Sequence, residues 1–143
     1  MSSETSEHLF AVDEAEALIP RLEFLIGRLQ AGARRLREEV GSIADEQGVE
    51  ASDLTMTRIL QLRPPVHALV EEINRCVREI EELGGVFKDL ELGLVDFPAE
   101  IGGARVCLCW QYGEKVIGFW HRPDDGFAGR RPLKRRGAGH YVQ

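Results

Sequence analysis

Two of the three cysteines, and a histidine that directly follows a tryptophan, lie at positions 89–131 of this 143-residue chain. Cys107 and Cys109 stand at alternate positions of one predicted strand, and His121 ends the next. Side chains two residues apart on a strand share a face, and zinc and iron accept thiolate and imidazole ligands. If Cys107 pairs with His121 across the strands, these three residues supply three ligands of a zinc or iron site.

Several observations weigh against that site. The spacing is C-x-C, whereas common zinc motifs have C-x-x-C. Cysteines without a disulfide are most often simply buried in a core. A fourth ligand must come from elsewhere, and the candidates are Asp96, His8, His67 and His140. The expectation is therefore that no cofactor is bound, with a zinc or iron site as the alternative.

A small-molecule pocket is the second chemistry that this stretch allows. Histidine titrates near neutrality, and aromatic rings offer a ligand an apolar surface. Residues 125–131 add two glycines and two arginines, which suit a phosphate or carboxylate because backbone N–H groups and guanidinium forks both bind oxyanions. The residues predicted to line such a pocket are Asp96, Trp110, Glu114, Trp120, His121 and Arg130.

These polar residues also have a structural explanation. His121 can cap its strand by bonding to a nearby carbonyl or aspartate. Asp89 and Asp96 can close turns. Arg130 can pair with an acid of the helices. A structural role and a ligand-binding role are both open for them at this point.

The first half of the chain is predicted to form helices that support this stretch. Apolar residues recur there every three or four positions, the period of one helical face. The first face predicts a helix over residues 13–46, with a kink or a separate first turn at Pro20. The second predicts a helix that stops at Gly84 and Gly85, so the pair forms an antiparallel hairpin. The two faces consist of Leu18, Leu22, Leu25, Leu29, Ala33, Leu36, Val40 and Ile43, and of Val66, Leu69, Ile73, Val77, Ile80 and Leu83.

From Val86 onward the apolar period changes to two, which indicates strands. Residues 104–112 and 115–121 predict a β-hairpin, and residues 86–97 a third strand that ends at Pro98. The predicted fold class is therefore α+β: a long antiparallel helical hairpin followed by a small three-stranded antiparallel β-meander.

The length of the turn at Gly113 decides which side chains share a face, because a one-residue slip inverts every side chain. A two-residue turn places His121 beside Val106 and away from both cysteines. A three-residue turn sets Cys107 opposite His121 instead. Glycine at the first turn position suits the two-residue form, which we therefore favour.

Composition and charge bound the kind of protein. With 43% apolar residues the chain can bury one core, so we treat residues 1–143 as a single domain. The net charge of -6 is uneven, because the last 16 residues carry five bases and no acid. The acidic remainder argues against binding nucleic acid. Within the domain we expect a flexible N-terminus at 1–9, the helical hairpin at 10–83, the meander with a Gly/Arg loop at 84–133, and a flexible basic tail at 134–143.

The same features predict a cytoplasmic protein. The N-terminus is polar and acidic, unlike a secretory signal, and no apolar run is long enough to cross a membrane. Three cysteines make an odd number, and Cys107 and Cys109 are too close along one strand for an ordinary disulfide.

Short motifs carry a resemblance over most of the chain. They read DLELGLVDFPA, CW, GE, FWH and DDGFAGRRPL, and the opening reads FAVDEAEALIPRL. From Phe10 to Leu133 these segments resemble a bacterial and archaeal family known as domain of unknown function 2203. The resemblance implies no activity. It implies that the family's common feature lies at Asp96, Trp110, Glu114, Trp120, His121, Gly126, Phe127, Gly129 and Arg130.

Two positions depart from the family's pattern. Where Ala11 stands, members tend to carry Thr, which forms a capping box with the acid at Glu14, and losing this cap costs about 1 kcal/mol. Where Cys107 stands, members commonly have Tyr or another bulky residue, which weighs further against a metal site.

Two functions of different classes follow. The first is a non-enzymatic protein-interaction or self-association module, a homo-oligomer and most simply a dimer, joined through helices whose apolar residues exceed what one small sheet can cover. The second is an enzyme or binding protein for a small anion or a metal, with its pocket around Trp120 and His121. No nucleophile and base stand out as a pair, so the sequence leaves open whether the chain is an enzyme.

Overall fold

Helices fill the first half of the chain and an antiparallel sheet the second, in a computed structural model that describes residues 7–136 and 140–142, with side chains through Lys134. The helices are α1 (Val12–Glu16), α2 (Ile19–Gln47), α3 (Met56–Leu62) and α4 (Val66–Glu82). The strands are β1 (Val86–Asp89), β2 (Leu94–Ile101), β3 (Ala104–Gln111), β4 (Phe119–His121), β5 (Arg131–Pro132), β6 (Lys134–Arg136) and β7 (His140–Val142). The predicted α+β class is confirmed.

The two long helices, α2 and α4, pack side by side. Ion pairs join Arg21 to Glu79 and Arg28 to Glu72, and their reversed order along the two helices means that the helices run antiparallel. Pro20 lies in the first turn of α2, where the N–H that proline lacks would have no helical partner. The chain before it forms the separate short helix α1.

The connection between the long helices contains a helix that the hairpin prediction lacks. Gly48 ends α2 in the left-handed conformation, with φ of 67°. Thr55 then caps α3, because its hydroxyl accepts a hydrogen bond from the backbone N–H of Arg58 at 3.1 Å. Pro64 and Pro65 separate α3 from α4, since the residue before a proline avoids helical geometry.

Strands β1 to β5 form one antiparallel sheet in chain order. The sheet therefore has five strands where three were predicted. The single strand predicted over residues 86–97 is divided between β1 and β2. A turn divides it, in which Gly93 takes a φ of 67° and the Asp89 carboxylate accepts a hydrogen bond from the N–H of Leu92 at 2.8 Å. Local chemistry at the turn overrides the apolar alternation that suggested one strand.

Strand β2 also continues through Pro98, where the sequence predicts its end. Pro98 lies beyond the last residue that pairs with β1, so no neighbouring strand needs its missing N–H. Its carbonyl instead accepts a hydrogen bond from the N–H of Phe10 at 2.7 Å. The segment before α1 thereby covers the part of the β2 edge that β1 leaves open.

The pairing of β3 with β4 follows the register that the sequence disfavours. Cys107 lies opposite His121, and Cys109 opposite Phe119. The predicted two-residue turn is wrong, because β4 begins at Phe119 and residues 112–118 form a loop. Side chains hold that loop: Glu114 accepts a hydrogen bond from the N–H of Gln111 at 2.8 Å, and Glu16 accepts one from Ile117 at 2.9 Å.

One face of the sheet packs on the helices and forms the main core. Its buried residues come from the segment before α1, from α1, α2 and α4, from strands β2 and β3, and from the loop before β4, and are Phe10, Ala15, Ile19, Leu22, Leu25, Ile26, Leu29, Cys76, Ile80, Val95, Phe97, Ala99, Val106, Leu108, Trp110 and Ile117. The opposite face carries Asp96, Cys107, Cys109 and His121, which have the other parity along the same strands. The sheet thus separates the apolar core from the candidate metal ligands.

A second, smaller cluster lies beyond the sheet, where Ile43, Ile59 and Val66 bring α2, α3 and α4 together. Helix α3 therefore covers apolar residues of the long helices that a simple hairpin would expose. In the described part of the chain, no helix has both the length and the apolar character required to cross a membrane.

Within the predicted flexible tail, β6 pairs with β7 as a two-stranded ribbon. Residues 137–139 and 143 of that tail, and residues 1–6 of the predicted flexible N-terminus, lie outside the described residues.

Candidate metal centre and neighbouring groove

Three potential ligands converge on the face of the sheet that points away from the helices. Asp96 of β2, Cys107 of β3 and His121 of β4 each offer a ligand atom, and these atoms all lie within 4.8 Å of one another. The register explains the convergence. Cys107 and His121 are directly opposite, and Asp96 lies one diagonal step away on the same face.

The hydrogen bonds of His121 fix its ring and define its protonation. Its Nδ1 lies 2.8 Å from the backbone oxygen of Arg122, which can only accept, so Nδ1 carries a proton. Its Nε2 lies 2.9 Å from Oδ2 of Asp96, and a carboxylate is also an acceptor. A second proton or a metal ion between Nε2 and the carboxylate would satisfy both of these atoms.

Both members of this pair are taken out of water. Only 3% of the His121 side chain and 6% of the Asp96 side chain are exposed. Cys107 is half-buried, so the cluster is closed by the sheet on one side and reachable from the side of Cys107. Burial raises the pKa of the Cys107 thiol, and the nearby Asp96 carboxylate raises it further.

This geometry does not suit a cysteine nucleophile. An activated thiol needs a histidine nitrogen free to take its proton and a lowered pKa. Both ring nitrogens of His121 are engaged with oxygen atoms, and the pKa of Cys107 is raised. Among the reactions that a Cys, a His and an Asp can perform together, thiol nucleophilic catalysis is thus disfavoured.

Cys109, the other predicted metal ligand, lies outside the converging group. It is buried and directly opposite Asp96 on the sheet. Burial, and after it the negative charge of the Asp96 carboxylate, raise the pKa of its thiol to about 11. Cys109 therefore remains a thiol that supports the Asp96 carboxylate, and the predicted set of Cys107, Cys109 and His121 becomes one of Asp96, Cys107 and His121.

Glu114 and Arg130, predicted to bind a ligand, bind each other. Arg130 Nη2 donates to the two carboxylate oxygens of Glu114 at 2.7 and 2.9 Å and to the Cys109 carbonyl at 3.1 Å. Its guanidinium stacks on the rings of Phe119 and Phe127, with centroid distances of 4.0 and 4.9 Å. The prediction that Arg130 pairs with an acid of the helices is wrong, because its partner Glu114 lies in the loop after β3.

The contact with Glu114 also stabilises the charged form of the Arg130 guanidinium. Burial would lower the pKa of Arg130, but the hydrogen bond to the Glu114 carboxylate, followed by the interaction with the Cys109 side chain, outweighs it, so the net pKa is raised. With its charge already balanced by Glu114, Arg130 holds the loop in place and is poorly placed to bind an external anion.

The two tryptophans lie on the core side of the sheet, away from the converging ligands. Trp110 is fully buried beneath the helices, and its indole N–H donates to the backbone oxygen of Glu114 at 3.0 Å. Trp120 pairs with Leu108 and is half-buried. The six predicted pocket residues therefore divide among a buried pair (Asp96 and His121), a structural ion pair (Glu114 and Arg130), the core (Trp110) and a groove (Trp120).

That groove has a volume of about 520 Å³ and lies at the end of the sheet next to the β2–β3 turn. Arg105 and Arg122, at its rim, were not predicted as site residues. The available signal was positional, since Arg105 precedes Cys107 by two residues and Arg122 directly follows His121.

The other candidate ligands are engaged elsewhere. His8 lies 2.7 Å from the Glu14 carboxylate, and His67 lies 3.8 Å from that of Glu71 at an exposed position of α4. The side chain of His140 lies outside the described residues. In the Gly/Arg loop, a Cβ on Gly129 would fall 2.5 Å from the Cβ of Asp125, so glycine is required there for packing.

The chain belongs to the family of uncharacterized conserved proteins DUF2203, whose model matches residues 8–133. This confirms the resemblance read from the sequence motifs. No curated protein and no solved structure is similar enough to match. Membership of this family implies no activity.

Proposed function

We propose that this protein binds one divalent transition-metal ion, most naturally zinc, through Asp96, Cys107 and His121. The observation that carries the proposal is the contact between two acceptors, His121 Nε2 and Asp96 Oδ2, at 2.9 Å in a buried site beside a thiol. A metal ion satisfies both acceptors and also takes the thiolate as a third ligand. A proton satisfies only the first two.

The donor set fits such an ion. Carboxylate, thiolate and imidazole are all accepted by zinc, and three protein ligands leave one position open. Tetrahedral zinc separates its ligand atoms by roughly 3.3–3.7 Å, so that the nitrogen and oxygen would move apart by about 0.4 Å.

Charge and support also favour a divalent ion. The Asp96 carboxylate and the Cys107 thiolate each carry one negative charge. Together they would neutralise a divalent ion, so the buried complex would have no net charge. Metal-binding histidines typically donate their other N–H to a carbonyl or carboxylate, as His121 Nδ1 does to Arg122. The ligands belong to three adjacent strands, so the ion would cross-link β2, β3 and β4.

Cobalt(II) substitution tests the proposal. Co²⁺ bound by a thiolate in tetrahedral geometry gives a near-ultraviolet charge-transfer band and strong visible bands. We expect one equivalent of Co²⁺ to produce both, zinc to displace it, and Cys107→Ser to remove the charge-transfer band. Cys76→Ala, which alters a thiol in α4 far from the site, should keep the band. Absence of stoichiometric binding, or a band that survives Cys107→Ser, would overturn the proposal.

Self-association through the helices is a second candidate, favoured by one surface. Phe24 of α2 is 50% exposed and lies at a groove between α2 and α4, flanked by Arg21 and Arg28, whose guanidinium groups contact its ring. An exposed aromatic anchored in this way is typical of protein interfaces.

Light scattering coupled to size exclusion tests this second candidate. We expect a mass near twice 16 kDa at micromolar concentration and a monomer for Phe24→Glu. Val49→Glu, at an exposed apolar position after α2, serves as the matched control and should leave the mass unchanged. A wild-type mass of one chain would remove the candidate.

A further inference from the structure

The groove beside Trp120 combines an apolar floor with a cationic rim. Ile101, Val106 and Trp120 form the floor, and Arg105, Arg122 and Asp124 line its edges. Its volume of about 520 Å³ is within the range of small-molecule sites. The groove opens on the core side of the sheet and does not share side chains with the proposed metal centre.

We propose that this groove binds a small organic carboxylate, with a flat apolar body against Trp120 and its carboxylate at Arg122. The proposal goes beyond metal binding and does not depend on it. The ligand must fit the volume of the groove and must have one apolar end and one anionic end.

The charge of the rim selects an anion. In the described part of the chain, no acid forms an ion pair with Arg122, whose exposed side chain follows His121 directly. Arg105 pairs with Glu7, outside the groove, and Arg131 adds a third cation with its guanidinium 5.4 Å from the centre of the Trp120 ring. Asp124 is the acid that lines the groove with Arg105 and Arg122. A free guanidinium binds carboxylate oxygens in a forked geometry that matches their spacing.

The floor selects an apolar body. Trp120 is half-buried, with the Arg131 guanidinium 5.4 Å from the centre of its ring, and it lines the groove beside the buried Val106 and the half-buried Ile101. Stacking on an aromatic face and contact with aliphatic side chains both favour a planar apolar group. A free phosphate or another inorganic anion would leave this floor uncovered and is expected to bind more weakly.

The test uses 3-phenylpropionate and its neutral amide as probes for the full-length protein. A chelator is present throughout to remove any bound metal ion, so the result does not depend on the metal proposal. Tryptophan fluorescence reports binding. Trp110 is fully buried outside the groove, and a change can be assigned to Trp120 because Trp120→Phe removes it. We expect saturable binding of the acid at millimolar concentration or below, at least about fivefold tighter than the amide.

Variants make the test specific. Arg122→Gln should weaken binding of the acid by about fivefold and leave binding of the amide unchanged. Arg34→Gln, at an exposed position of α2, removes the same charge elsewhere and should have no effect. No saturable binding up to about 10 mM, or equal binding of acid and amide, or an unchanged affinity in Arg122→Gln, would each overturn the proposal. Circular dichroism of each variant checks that the fold is retained.

Discussion

Arg130 and Glu114 form a two-point ion pair across the edge of the sheet, with one Arg130 nitrogen donating to both oxygens of the Glu114 carboxylate at 2.7 and 2.9 Å. The same carboxylate accepts from the backbone of Gln111, and the Glu114 carbonyl accepts from Trp110. The loop between β3 and β4 is thus held from three sides through one residue.

Arg130→Ala is therefore expected to destabilise the protein by about 2–4 kcal/mol, because it removes several charge-assisted hydrogen bonds and the stacking on Phe119. Urea unfolding measures the loss. Arg34→Ala, which removes an exposed arginine of α2, should change stability by less than about 0.5 kcal/mol. A loss of similar size in both variants would mean that Arg130 acts only through its charge.

Ala11→Thr is expected to stabilise the protein by about 1 kcal/mol. Ala11 has the extended conformation of an N-cap, with φ of -75° and ψ of 156°, and its N–H already donates to Glu14 at 3.1 Å. Alanine has no oxygen to complete the box, and threonine supplies one. Ala11→Val has the same shape without the hydroxyl and should give no gain in thermal unfolding. If Val stabilises as much as Thr, the gain comes from shape and not from the hydrogen bond.

Gly93→Ala and Gly103→Ala separate two effects of a glycine with positive φ. Both positions are left-handed, with φ of 67° and 81°. At Gly93 a Cβ would fall 2.6 Å from the Cβ of Tyr112, while nothing lies within 4 Å of one at Gly103. We expect a loss of about 1–2 kcal/mol at Gly103 from backbone strain, and of about 3 kcal/mol or more at Gly93, where overpacking adds to it. Equal losses in chemical denaturation would contradict the packing argument.

Glu14 is expected to contribute to the loss of stability of the fold at low pH. The hydrogen bond from the backbone of Ala11, and then that from His8, lower the pKa of Glu14 below its ordinary value. A lowered carboxyl pKa contributes stability above the unfolded-state pKa, and this contribution is lost as the pH falls through the folded-state pKa. Glu14→Gln should therefore be less stable than the wild type at pH 7 and equally stable once Glu14 is protonated. Paired urea titrations across the acid range measure this, and a difference that persists at low pH would exclude a charge effect.

The helical half of the fold was accessible from the sequence because its signal is long and periodic. The apolar faces of α2 and α4 repeat over many turns, and Gly84 and Gly85 mark where the second long helix must stop. What was missed there is short: α3 has seven residues, and its existence depends on contacts of Ile59 with the far ends of the long helices. Short elements are decided by such tertiary contacts, which a local pattern does not contain.

The register of the sheet was harder to predict because it depends on side chains distant in sequence. Glycine at position 113 favoured a tight turn on local grounds. The bonds from Ile117 to Glu16, and from Arg130 to Glu114, instead hold residues 112–118 as a loop and move the pairing by one residue. That single step reverses the faces of β4, and with them the surroundings of His121. Asp96 was predicted in a pocket and as a possible fourth ligand, but its place in the converging group follows only from this register.

The hydrogen bond from Phe10 to the Pro98 carbonyl gives the N-terminal segment a protective role. Strand β1 shields only the first residues of β2, and an uncovered strand edge invites pairing with other molecules. A truncation that removes Phe10 would leave the carbonyl of a buried, apolar strand open at the rim of the sheet. We expect such a truncation to lower resistance to aggregation and also to weaken the core, in which Phe10 is buried against Phe97.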